Sequence, residues 1–156
     1  MRRALVSLLV APLISQAAFA QGGNRPVSAV TRQNMAFGTV IPGVPVTVSW
    51  SDPLAAGQVE IRGNRNVQVS VQITLPAAMA GPFGATMPML FGSADGGYSQ
   101  TNNAAAATSF DPRSPLVATL SPQGRLFIFL GGTVSPPVTQ RAGAYTGTIT
   151  VTVAYL

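Results

Sequence analysis

Four carboxylates are the only acids in this 156-residue chain: Asp52, Glu60, Asp95 and Asp111. There is no His, Cys or Lys, and all nine basic residues are Arg. Metal sites built on imidazole or thiolate are excluded, and so is a nucleophile activated by histidine. Two carboxylates could in principle act as a glycosidase pair. However, Asp52 and Asp111 each precede a proline and are expected to form turns. Asp95, near Gly96, Gly97, Asn102 and Asn103, brings one carboxylate to a possible Ca²⁺ loop, which is too few for a tight site. No glycine-rich phosphate loop follows a strand. The chain is expected not to be an enzyme and to need no metal or cofactor.

The arginines carry the next possibility. Arg25, Arg32, Arg62, Arg65, Arg113, Arg125 and Arg141 are scattered along the chain, with no basic run interleaved with aromatics. A nucleic-acid surface needs such concentration, so no nucleic-acid partner is expected. Arg2 and Arg3 belong instead to a different pattern. Met1-Arg2-Arg3, the apolar run from Ala4 to Ile14 and the small-x-small triplet Ala18-Phe19-Ala20 together read as an export signal cleaved before Gln21. The apolar run would rise only about 16 Å as a helix, too short to span a bilayer. No later stretch is long enough to anchor the mature chain. The expected organisation is a signal at 1–20, an N-terminal extension at 21–33 and one domain at 34–156. The location would be the periplasm, the cell surface or fimbrium, or the medium. Without cysteine, stability must come from apolar burial and hydrogen bonds.

The elements that carry these residues have a period of two. Val67, Val69, Val71, Ile73 and Leu75 alternate with polar residues, as do Val46, Val48 and Trp50. Arg125 to Leu130 is apolar at five consecutive positions, as expected of a central strand covered on both faces. Turn signals such as Ile41-Pro42-Gly43, Ser121-Pro122-Gln123-Gly124 and Gly131-Gly132 separate the runs. Strands are expected near 34–40, 45–50, 58–62, 67–75, 87–91, 115–120, 125–130, 133–138 and 145–155. The fold class is all-β, an antiparallel sandwich. The segment 92–114 is small, polar and aperiodic. It reads as a surface loop with a short helix possible at Ala104–Ala107.

The last segment is the most regular. Tyr145, Gly147, Ile149, Val151, Val153 and Tyr155 share one face, and Thr146, Thr148, Thr150, Thr152 and Ala154 share the other. With Phe37-Gly38-Thr39-Val40-Ile41-Pro42-Gly43, Ile73-Thr74-Leu75-Pro76 and Leu126 to Val134, the run Ala142 to Val153 resembles a bacterial domain-of-unknown-function family of secreted β-sandwiches. That family is similar to pilin subunits of the chaperone–usher route, which are immunoglobulin-like. Such pilins carry a glycine 14 places from the C-terminus and a penultimate tyrosine, and Gly143 and Tyr155 stand at those places. The cysteine pair common in pilins is absent.

The resemblance implies an exported structural subunit assembled by strand complementation. A periplasmic chaperone and like subunits would be its partners. Strand pairing would fall on Gly143, Tyr145, Ile149, Val151, Val153 and Tyr155, and Val27, Ala29 and Thr31 would face inward from a donor segment within 21–33. The other reading is a self-contained cell-surface or matrix binding module with ligand contacts in the loop 92–114.

Overall fold

The computed structural model describes residues 25–156. The expected export signal at 1–20 and residues 21–24 of the expected extension lie outside the described residues. Within them the chain is an all-β sandwich of three antiparallel sheets. The largest sheet runs in the order β1 (Ser28–Gln33), β3 (Gly57–Arg62), β10 (Arg125–Leu130), β7 (Gly96–Ser99) and β8 (Thr108–Phe110). Facing it is a sheet of β12 (Thr150–Tyr155), β4 (Gln68–Thr74) and β9 (Leu116–Thr119). The third sheet holds β2 (Val46–Val48), β11 (Gly132–Val134), β6 (Thr86–Leu90) and β5 (Ala78–Ala80).

The main core lies between the first two sheets, where alternation dictates which side chains meet. Val69, Val71 and Ile73 of β4, Leu116 and Ala118 of β9, and Leu126, Ile128 and Leu130 of β10 are buried together with Ile61. β10 is buried on both faces, as its sequence requires, because β3 and β7 flank it and further chain covers its outer side. Phe127 and Phe129 are its buried outer residues. A smaller core of Met87, Met89 and Val134 sits under the third sheet. The chain crosses between sheets at Gly131, where an added Cβ would stand 2.4 Å from the Val48 carbonyl oxygen. Only glycine permits so close a backbone approach.

Four expected elements are corrected. The first strand lies at 28–33, not 34–40, because its length is set by its partner: pairing ends where Gln33 meets Gln58, near the start of β3. The expected strand at 133–138 is three residues, Gly132–Val134, and Pro136 and Pro137 follow it without backbone donors. The segment 92–114 is not a plain loop. It holds β7, a 3-10 turn at Ala104–Ala106 and β8. Gly96 and Gly97 form strand rather than loop, and the rings of Phe110 and Trp50 occupy the space a Cβ would take.

The strand expected at 145–155 comes in two parts. Thr150–Tyr155 pairs with β4, whereas Thr146 makes a single bridge to Ala80 of β5. Between these points the β4–β5 side carries two extra residues. Pro76 stands in that gap, without an N–H to continue the ladder. Gly147 lies against it, its missing Cβ 3.5 Å from the proline ring.

Candidate strand-docking groove

β1 is the edge of the largest sheet and β12 is the edge of the sheet facing it. The two strands run antiparallel along the same side of the sandwich, with no ladder between them. At one end they are tied. The Tyr155 hydroxyl donates to the Arg25 carbonyl (2.6 Å) and accepts from the Asn64 N–H (2.7 Å). Its ring lies over Gly63, where an added Cβ would be 2.5 Å from the hydroxyl oxygen. One side chain thus joins the N-terminal segment, the β3–β4 turn and the last strand. Val27 and Val153 pack into the main core beside it.

Away from this tie the edges open into a groove of about 230 Å³. Ala29, Thr31, Met35 and Phe37 line one wall, Ile149 and Val151 the other, and Leu130 and Met89 also border it. Ala29 and Thr31 are exposed although they point to the inner side with Ile61 and Val59, their respective register partners. Val151 and Val153 are half-buried, and Thr150, Thr152 and Ala154 are exposed, so the faces of the last strand match their alternation. The inner face of each edge strand is therefore only partly covered by the described residues.

The structure brings Ala29, Thr31, Ile149 and Val151 into this groove and places Val27, Val153 and Tyr155 at its closed end. Gly143 and Tyr145 stand apart, in a second cleft with Phe37, Met79 and Met87. Tyr145 lies over Gly81, donates to the Arg141 carbonyl (2.8 Å) and accepts from the Gln140 side chain. Gly143 adopts φ +147°, and a Cβ there would meet the Pro82 ring at 2.6 Å. Its role is to turn the chain into the last segment. The segment named as a donor is β1 itself, paired with β3 of the same chain from Ser28 to Gln33. Met35, Phe37, Met89 and Leu130 were not foreseen as groove residues. The period-two series Ala29, Thr31, Gln33, Met35, Phe37 was the signal for the first two, since all five line the groove.

Behind β1, on the outer side of the sheet, Glu60 is inaccessible to solvent. Its Oε2 accepts from Arg32 Nε (2.6 Å) and Arg62 Nη2 (2.9 Å), and Arg125 Nε stands 3.5 Å from Oε1. The Arg62 hydrogen bond, followed by that of Arg32, holds the carboxyl below its ordinary pKa, and desolvation opposes it. Arg32 reaches this position from a β-bulge: Thr31 pairs with Val59 and Gln33 with Gln58, leaving Arg32 unpaired between them. The scattered-arginine expectation is thereby corrected, because β1, β3 and β10 are neighbours in space. The other acids have local duties. Asp52 accepts from the N–H groups of Leu54 and Ala55, Asp95 from that of Gly92. Asp111 pairs with Arg113, whose hydrogen bonds lower its pKa to about 2. Among the described residues no three metal-ligating side chains gather, and no helix is long and apolar enough to cross a membrane.

Residues 27–155 match a family model described as Domain of unknown function (DUF4402). No curated protein matches the chain.

Proposed function

Starting from the fact that the chain belongs to the DUF4402 domain-of-unknown-function family, we propose that it is an exported, pilin-like structural subunit completed by a strand from another chain. The observation that carries this reading is the groove between β1 and β12, whose inward-facing residues are left partly uncovered. A strand laid along the free edge of β12 would satisfy that edge's outward N–H and C=O groups. Its alternate side chains would enter the space between Ala29, Thr31, Ile149 and Val151. The acceptor is thus β12 with Ile149 before it, together with β1. The incoming strand would come from a periplasmic chaperone first and a like subunit later.

One constraint sharpens the proposal. Because Ser28–Gln33 is already held on β3, a subunit that donates Val27, Ala29 and Thr31 must release its own first strand.

The test is to purify the mature chain and add a synthetic peptide of residues 21–33. We expect the chain alone to aggregate or melt early, and the peptide to raise its melting temperature saturably. A heat-stable monomer that ignores the peptide would overturn the reading.

A further inference from the structure

A second feature of the surface is independent of the groove. Arg62 and Arg125 stand directly opposite each other across β3 and β10, and like charges so placed repel. Glu60 offsets this only in part. Three guanidiniums surround its one carboxylate, and each arginine side chain remains about half exposed, at 43%, 47% and 53% for Arg32, Arg62 and Arg125. Glu60 Oε1 accepts no hydrogen bond, and the Arg125 contact to it is the longest of the three. Two positive charges therefore remain unbalanced at this end of the sheet.

Beside them is a cleft of about 260 Å³. Arg62 and Arg125 line it together with Arg25, Gln123 and the paired glycines Gly63 and Gly124. The glycines permit the close approach of its walls: Gly124 has φ +73°, and a Cβ on it would meet the Gly63 carbonyl oxygen at 2.3 Å. No carboxylate lines the cleft. Three arginines bordering one small concave site, two of them shared with a single carboxylate, suit a tetrahedral oxyanion, which accepts several charge-assisted hydrogen bonds at once.

We propose that this cleft, between the start of β1 and the β9–β10 turn, binds a phosphate group through Arg25, Arg62 and Arg125. The phosphate belongs either to a soluble ligand or to a lipid headgroup, and two arms of one experiment separate these sources. In the first arm, inorganic phosphate is titrated into the purified chain by calorimetry, against chloride of matched ionic strength. In the second, the chain is sedimented with vesicles of phosphatidic acid in phosphatidylcholine.

Saturable phosphate binding is expected, weakened about tenfold in Arg125→Gln by loss of one charge-assisted bond. Arg125 has the loosest hold on Glu60, so this variant should keep its melting temperature. If it does not, Arg25→Gln, outside the Glu60 network, decides instead. Arg113→Gln, whose partner is Asp111, should bind as the parent does. Vesicle binding that the same variants abolish assigns the phosphate to a lipid. Binding of inorganic phosphate without vesicle binding assigns it to a soluble ligand. The proposal is overturned if the parent binds phosphate no better than chloride, or if Arg125→Gln and Arg25→Gln both bind it unchanged.

Discussion

β10 and β12 are both strands of six residues with an apolar inner face, yet they end in different environments. Five residues of β10 are buried, whereas no residue of β12 is. Thr150 and Thr152 face solvent as their polarity requires, but the inner face of β12 is apolar like that of β10 and is still not buried. β10 has a ladder on each side and chain over both faces, while β12 has a ladder only to β4 and faces a groove. Burial here is a property of neighbours. The inner face of β12 is apolar, and the described residues cover it only in part.

The sharpest way to break this comparison is to truncate the same kind of side chain in both strands. Ile128→Ala should cost about 3–4 kcal/mol, since its site is closed on every side. Val151→Ala in the free chain should cost only about 1 kcal/mol, because its side chain is smaller and already partly exposed. Urea denaturation of the two variants checks this, and equal losses would mean that the groove is closed in solution. With a strand seated in the groove the Val151 loss should grow, while the Ile128 loss should not.

A smaller effect tests the tie at the closed end. Tyr155→Phe keeps the ring over Gly63 but removes the hydroxyl shared by Arg25 and Asn64. The loss should be about 2 kcal/mol for two hydrogen bonds. Hydrogen exchange should quicken in β1 and β12 and stay unchanged in β10. A uniform rise across the sandwich would show that the tie supports the whole fold rather than this edge.

The smallest effect is a slope with pH. Glu60 titrates below its ordinary pKa of 4.5 when folded. Its contribution is complete above that value and is lost as the pH falls from 4.5 through the lowered folded pKa. Because Arg32 of β1 is among its partners, acid should first loosen β1. Asp111 contributes in the same direction, mainly at and below 3.8, its unperturbed value. Near 4.5 the loss is therefore weighted to Glu60, and Glu60→Gln should lessen the slope of the stability curve there. An unchanged curve would mean that the cluster does not hold the first strand.

Much of this architecture was readable from the residues. Alternation at 67–75 and 150–155 assigned side chains to the correct faces, and the apolar run at 125–130 marked the central strand. Ser121-Pro122-Gln123-Gly124 read correctly as a turn, closed by the Gly124 N–H donating to the Ser121 carbonyl (2.8 Å) and by Gly124 at φ +73°. Other features depended on partners distant in the chain. Gly96 and Gly97 read as part of a loop because their missing side chains are explained only by Phe110 and Trp50. The segment 145–149 looked like strand because Pro76, which interrupts it, lies some seventy residues earlier. The arginines around Glu60 looked dispersed because only the strand order β1, β3, β10 gathers them.

By itself, then, the sequence determined the period, the faces and the turns. These follow from the pleat of an extended backbone and the conformational limits of glycine and proline, which act over a few residues. Only the tertiary structure decided which strands stand at an edge, which arginines share a carboxylate and which apolar face lacks a cover. Those outcomes depend on ladders between residues distant in sequence, and no local pattern encodes the partner across the gap.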